Sequence, residues 1–183
     1  MKRVPSYKAL LKQFTAYSTE LKNYLSQFPA LIQNHPYEVC LAYLFLRTEM
    51  AQNRTLYCGV VKLHHAHTEI AQNAVDAQHL TRDGFLELYQ KIFGEALPDG
   101  IASRLKQAEK IRDKVVHGKA VYDPEIREAM YDVLDYASQM NSHLKAKAGF
   151  QPFDDLRGFK GRAIPLDKST SRWLLKGIGF GIA

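Results

Sequence analysis

Apolar residues recur with a helical period along almost the whole chain, and the strict alternation expected of half-buried strands is nearly absent. Ser6 is placed to cap a first helix that reaches about Phe28, with Leu10, Leu11, Phe14, Tyr17, Leu21, Tyr24, Leu25 and Phe28 on its apolar face. After the short connector Pro29 to Asn34, a long helical region spans Pro36 to about Ala77, and its pattern predicts a break or kink near Gln52-Asn53-Arg54-Thr55. A third helix starts at Thr81, with Leu80 and Phe85 in hydrophobic-staple positions, and stops at Gly94. Asp99 is placed to cap a fourth that runs to Gly118. Asp123-Pro124 opens a fifth, because proline is favoured at the first helical position, and Gly149 follows its end near Ala148.

This pattern predicts an all-α fold, an up-and-down helical bundle of about five main helices with short links. From Phe150 the period is lost and Gly/Pro punctuation predicts an irregular arm, ending in a short helix around Ser171 to Lys176. The expected division is a bundle over residues 1–149 and a basic, aromatic C-terminal arm over 150–183. The arm is expected to pack on the bundle or on a partner subunit, with Trp173 and Leu174 as anchors; binding RNA through its interleaved aromatic and basic residues is the alternative.

Composition sharpens this picture in two ways. The chain has 183 residues, 46% hydrophobic and 24% charged, as in ordinary globular domains. No apolar run approaches the roughly 20 residues that cross a bilayer, and the basic start Met1-Lys2-Arg3 has no apolar segment after it, so no membrane association and a cytoplasmic location are expected. Cys40 and Cys58 are read as buried free thiols, since 18 residues of one helix would hold them about 27 Å apart. The net charge of +6 is uneven: residues 144–183 carry eight basic against three acidic side chains. The fourth helix is also basic (Arg104, Lys106, Lys110, Lys114, with Lys119 beyond it), and the fifth is acidic (Asp123, Glu125, Glu128, Asp132, Asp135). Either the basic surface meets a polyanion such as nucleic acid, or it pairs with its acidic neighbour.

The chemistry concentrates in Arg112-Asp113-Lys114-Val115-Val116-His117-Gly118. On an ideal helix Arg112 falls inside the arc of Ile101, Leu105, Ala108 and Val115, and a guanidinium on an apolar face needs a carboxylate, carbonyls or an anionic ligand. His117 sits in the last turn, where the carbonyl end of the helix favours a cation. Arginine with a titratable histidine suits phosphodiester chemistry. In a regular helix the two side chains leave about 140° apart, so they converge only if the helix frays or a second subunit contributes. The competing reading is a buried pair of Arg112 with a carboxylate such as Glu49, and His117 as a plain helix-terminal cation.

An arginine, a polar residue and a histidine five positions after the arginine, placed late in an all-helical domain and followed by Gly118, resembles the HEPN superfamily over about residues 6–148. The resemblance implies a homodimer whose two motifs face one cleft and cleave RNA without a metal. Carried onto this chain, His117 handles the proton of the 2′-OH or the leaving 5′ oxygen, Arg112 stabilises the scissile phosphate, and Asp113 orients either of them. Lys110, Lys114 and Lys119 would contact the RNA. A toxin or defence role, with an antitoxin or regulatory protein as a further partner, is also implied. Lys119 stands where one branch of the family has tyrosine, which speaks against adenylylation by a nucleotidyltransferase partner. The alternative is a non-catalytic module of the same fold that binds RNA or nucleotide or docks a partner protein.

Other patterns carry less. His64-His65-Ala66-His67 with Glu69 has two-ligand spacings but no third or fourth ligand, so neither a metal nor another cofactor is expected. No Gly-x-Ser-x-Gly elbow and no Gly-rich phosphate loop occurs. Tyr43, Tyr57 and Tyr89 are read as core.

Overall fold

A computed structural model describes residues 4–157, 159–161 and 164–182. Arg162, one of the basic residues of the C-terminal stretch, and Lys2 and Arg3 at the start lie outside the described residues. The fold is all-α, a helical bundle, with nine helices and no strand among the described residues. They are α1 (Tyr7–Ala16), α2 (Thr19–Tyr24), α3 (Phe28–Asn34), α4 (Tyr37–Leu63), α5 (Thr68–Asp76), α6 (Arg82–Phe93), α7 (Asp99–Val116), α8 (Asp123–Ala148) and α9 (Lys168–Ile178). No helix among the described residues is long and apolar enough to cross a membrane. The chain forms two compact units, Met1–Glu49 with Pro98–His143 and Phe153–Asp155, and Met50–Leu97 with Leu144–Pro152 and Leu156–Ala183.

In the first unit, the stretch to Phe28 expected as one helix is two, α1 and α2, and the expected connector Pro29 to Asn34 is helical as part of α3. Tyr17 turns extended and Ser18 restarts the chain as a new N-cap, its hydroxyl accepting from Leu21 N. The apolar face survives the break: Leu10, Phe14, Leu21, Tyr24, Leu25 and Phe28 are buried, and the Phe14 and Phe28 rings lie 5.2 Å apart. Arg47 on α4 secures this layer. Its guanidinium sits 3.9 Å from the Tyr24 ring centroid and donates to Tyr24 O at 2.7 Å, while the Tyr24 hydroxyl donates to Arg47 O at 2.9 Å. Asn141 on α8 is buried and grips the backbone of Phe153 twice, donating to its carbonyl at 3.0 Å and accepting from its N–H at 2.8 Å. That grip seats the Phe153 ring edge-on to Tyr24 and Tyr136.

In the second unit the long helix does not break at residues 52–55. Gln52 and Thr55 are buried within a continuous α4, and the Thr55 hydroxyl donates back to Ala51 O at 2.9 Å, so a polar side chain is satisfied without disturbing the ladder. The break comes instead at His64–His67, where His65 adopts a left-handed φ of 58°. Tertiary bonds hold that corner: Leu166 N donates to His65 O at 2.8 Å, and His67 N donates to the Ser171 hydroxyl at 2.8 Å. Gly59 lets α6 approach α4 closely, since a Cβ there would fall 2.6 Å from Ile92 Cγ2 and 2.9 Å from Phe93 Cζ. Phe93 in turn stacks on Tyr89 at 4.5 Å. Cys40 and Cys58, both on α4, are free and buried, and burial pushes their thiols up to about 11 and about 12.

The helix ends follow local chemistry at most sites. Thr81 caps α6, Gly94 closes it in the left-handed region, and Asp167 caps α9 by accepting from Ser169 N and Thr170 N. Asp99 is the first residue of α7 rather than its cap; Pro98 occupies that position and makes no side-chain cap bond. The short C-terminal helix starts earlier and ends later than expected, running through Gly177 to a left-handed Gly179. It packs on α5 and α6 through Ser171, Leu175 and Ile178, with Phe180 buried just beyond.

Two predictions follow from these attachments. Asn141→Ala strands the N–H and C=O of Phe153 in a buried setting at about 1–3 kcal/mol each, so urea unfolding is expected to show a loss of about 2–5 kcal/mol; a loss below about 1 kcal/mol contradicts the grip. Asp167 and Glu69 both have carboxyls held below their ordinary range, Asp167 by its bonds to Thr170 and Glu69 by Lys168. Depressed folded values stabilise the α9 attachment above the ordinary carboxylate range, and that contribution is lost as pH falls through the depressed values. Amide exchange in α9 is expected to accelerate, relative to α4, as pH falls below the ordinary carboxylate values of 4.5 and 3.8.

Candidate functional site

The candidate site lies in the first unit, at the C-terminal end of α7. Ile101, Leu105 and Ala108 are buried, as the apolar stripe requires, so the start of α7 is anchored. Arg112 continues that stripe at the rim of the core, with its side chain 36% exposed. Its guanidinium lies over the Phe45 ring of α4, 5.1 Å from the centroid. The partner expected from a structural arginine, a buried carboxylate, does not meet it: Glu49 is exposed, and the carboxylate beside Arg112 is its own neighbour Asp113, at 3.4 Å from Nε. The 3.4 Å contact qualifies as an ion pair by distance, yet Nε is shielded from solvent and has no acceptor in hydrogen-bonding geometry. The geometric criterion decides, because a bond of that length and poor angle contributes little. A shielded donor without an acceptor costs about 1–3 kcal/mol, which is a poor use of an arginine kept for stability alone.

His117 is the C-cap of α7. Its N–H donates to Asp113 O at 3.1 Å, and the residue is exposed. Gly118, at φ 66°, turns the chain away in the left-handed region, where L side chains are strained. The helix stays regular through Val116, so it neither tightens nor frays to bring the pair together. Arg112 goes to the core rim and His117 to solvent, about 140° apart by the helical step. One chain therefore does not assemble the two side chains at a single point.

The surrounding charges divide into paired and open groups. Arg104 is held by Asp135 at 3.1 Å and Asp132 at 3.5 Å, which ties α7 to α8. Lys114 approaches Glu125 at 3.9 Å. Part of the basic surface is thus matched by its acidic neighbour. Lys110 and Lys119 are exposed. Beside the motif helix a cleft of about 570 Å3 opens between Gln107 and Ile111 of α7 and Pro124, Glu125, Glu128 and Asp132 of α8, with Tyr122 at its edge. Tyr122 and Val116 are 77% and 67% exposed and lie on either side of His117 in sequence. Phe45, Val116 and Tyr122 were not singled out in sequence as site residues. Tyr122 and Val116 had only their closeness to His117 as a signal, and Phe45 had none, because its role depends on how α4 packs against α7.

The histidine cluster has a different role. His64 Nε2 lies 2.7 Å from Ile92 O, and His65 and His67 use their backbone groups to hold the corner already described. No group of three or more His, Cys, Asp or Glu residues stands ready for a metal ion among the described residues. Tyr89 is core, whereas Tyr43 and Tyr57 are half-buried.

This geometry makes both motif residues removable without loss of the fold. Arg112→Ala forfeits a cation–π contact of about 0.5–1 kcal/mol, and His117→Ala alters an exposed position where changes are usually within about 0.5 kcal/mol. Urea titrations of both variants are expected within about 1 kcal/mol of wild type; a loss of several kcal/mol in Arg112→Ala would mark it as structural. The chain matches no protein-family model, no curated protein and no solved structure, so the reading of this site rests on its own residues.

Proposed function

We propose that the chain is a metal-independent endoribonuclease of the HEPN type, acting at a composite site formed by two copies, in a toxin or defence setting. The observation that carries this is the state of Arg112: a half-exposed guanidinium over Phe45, whose shielded Nε lacks an acceptor, five positions before an exposed histidine. Such an arginine is poised for an anionic ligand, and the histidine is free to exchange protons. Because the two leave α7 in different directions, the arginine of one copy would work with the histidine of the other.

In this reaction the ribose 2′ oxygen attacks phosphorus and the bond from phosphorus to the 5′ oxygen breaks. His117 takes the 2′-OH proton and returns it to the leaving 5′ oxygen. Arg112 offsets the charge that builds on the pentacoordinate phosphorus oxygens. Asp113, whose carboxylate lies beside Arg112, is a positioning residue for that guanidinium. Lys110 and Lys119, with Lys114, would draw the RNA backbone in.

A second reading has its own support. The cleft beside α7 has Ile111, Pro124 and Tyr122 in its lining, while Glu125 and Asp132 there are engaged by Lys114 and Arg104, and such an apolar lining suits a protein partner better than RNA. In that case the chain is a non-catalytic module of the same type that docks a protein.

The test is incubation of purified protein with single-stranded RNA in EDTA, with analysis of product ends. The nuclease reading expects 2′,3′-cyclic phosphate and 5′-OH ends, and a loss of at least 100-fold in rate for His117→Ala or Arg112→Ala, in line with acid–base contributions of about 10²–10⁴. Undiminished cutting by either variant overturns the site. Absence of cutting by wild type favours the docking module.

A further inference from the structure

Of the two anchors expected in the C-terminal helix, Leu174 is half-buried and Trp173 is exposed. Leu175, Ile178 and Phe180 are buried, while Trp173 is 79% exposed. It is the only tryptophan of the chain. Leaving an indole in water forgoes the large burial gain that aromatic residues normally supply, so its position calls for a partner outside the fold. Its neighbours define the chemistry. Lys168, Arg172 and Lys176 recur at every fourth position, which sets them in one row about 6 Å apart along α9. Lys168 is matched by Glu69 at 2.5 Å, and Arg172 and Lys176 are exposed. Trp173 lies three positions before Lys176, next to that row on the outward face.

We infer that the outward face of α9 is a binding surface for single-stranded RNA, with one base stacked on Trp173 and the flanking phosphates held by Arg172 and Lys176. Stacking on an aromatic ring beside a cationic track is how proteins grip single strands without reading sequence. An anionic membrane would also attract cations and a tryptophan. A helix that lies in a lipid surface, however, presents a broad apolar face, whereas Leu175 and Ile178 of α9 are buried and Leu174 is half-buried. Ile164, exposed just ahead of the helix, adds only one more apolar side chain. That is enough area for a base and too little for a bilayer. The choice of RNA over DNA rests on the proposed function; the stacking and the charge do not.

The lone tryptophan supplies its own readout. Wild-type protein is titrated with a 2′-O-methylated 12-nucleotide oligouridylate, which has no free 2′-OH to attack and so reports binding apart from cleavage. Quenching of the Trp173 emission is expected. By anisotropy of the labelled oligonucleotide, Trp173→Ala should bind about tenfold more weakly and Trp173→Phe should retain most of the affinity. Replacing Arg172 and Lys176 together by Gln should lower the salt slope by about 1.4. All these positions are exposed, so the variants are expected to keep the wild-type melting temperature. Unchanged binding by Trp173→Ala overturns the inference. So does an emission that ignores the oligonucleotide and shifts to the blue with phosphatidylserine vesicles. Because the oligonucleotide cannot be cut, failure of this quenching and failure of the nuclease reading are separate results.

Discussion

A guanidinium resting on the face of an aromatic ring at the rim of a core is the contact on which the functional account depends. Phe45 gives Arg112 an apolar and polarisable seat, and the exposed Glu49 does not compete for its charge. Had that carboxylate closed on Arg112, the charge would be spent inside the fold and the motif would be structural. Instead the arginine keeps a charge that Asp113 offsets only from the side, at 3.4 Å and without hydrogen-bonding geometry. The stability of the unit comes from elsewhere, from Ile101, Leu105 and Ala108 above it and from the Arg104 pairs to α8. The end of α7 is therefore able to serve chemistry because its beginning serves packing.

The regularity of α7 sets a second constraint. Since the helix does not distort before Gly118, the arginine and histidine face different directions. Under the proposed reading each copy would supply half of a site, and the exposed Val116 and Tyr122 next to His117 would be apolar surface for a second copy. The proposed nuclease thus has its oligomeric requirement built into helix geometry rather than into a separate device.

Much of the architecture was legible in the sequence because it is written in local backbone chemistry. Thr81, Gly94, Gly118 and Gly149 mark helix ends through hydroxyl caps or left-handed turns, and those depend on one or two residues. The breaks at Tyr17–Ser18 and His64–His67 were not legible in the same way. The second is fixed by bonds from Leu166 and Ser171, about a hundred positions away, and neither has a period or a spacing to announce it. Residues 52–55 look like a break because they are polar, yet Thr55 returns its hydroxyl to Ala51 and the helix passes through. The motif itself was visible as a chemical pattern, whereas its state depended on which ring lay under Arg112. At Trp173 helical phase outweighs hydrophobicity: Ser171, Leu175 and Ile178 share the inward face, and Trp173 does not.

The most direct measurement of the composite site is complementation between inactive variants. Arg112→Ala and His117→Ala proteins are mixed, unfolded and refolded together, and assayed on RNA in EDTA beside each refolded alone. The account predicts that each alone is dead and that the mixture regains cutting, because a mixed pair still offers one arginine and one histidine across the interface. A mixture as inactive as its components, under conditions where refolded wild type cuts, would contradict it.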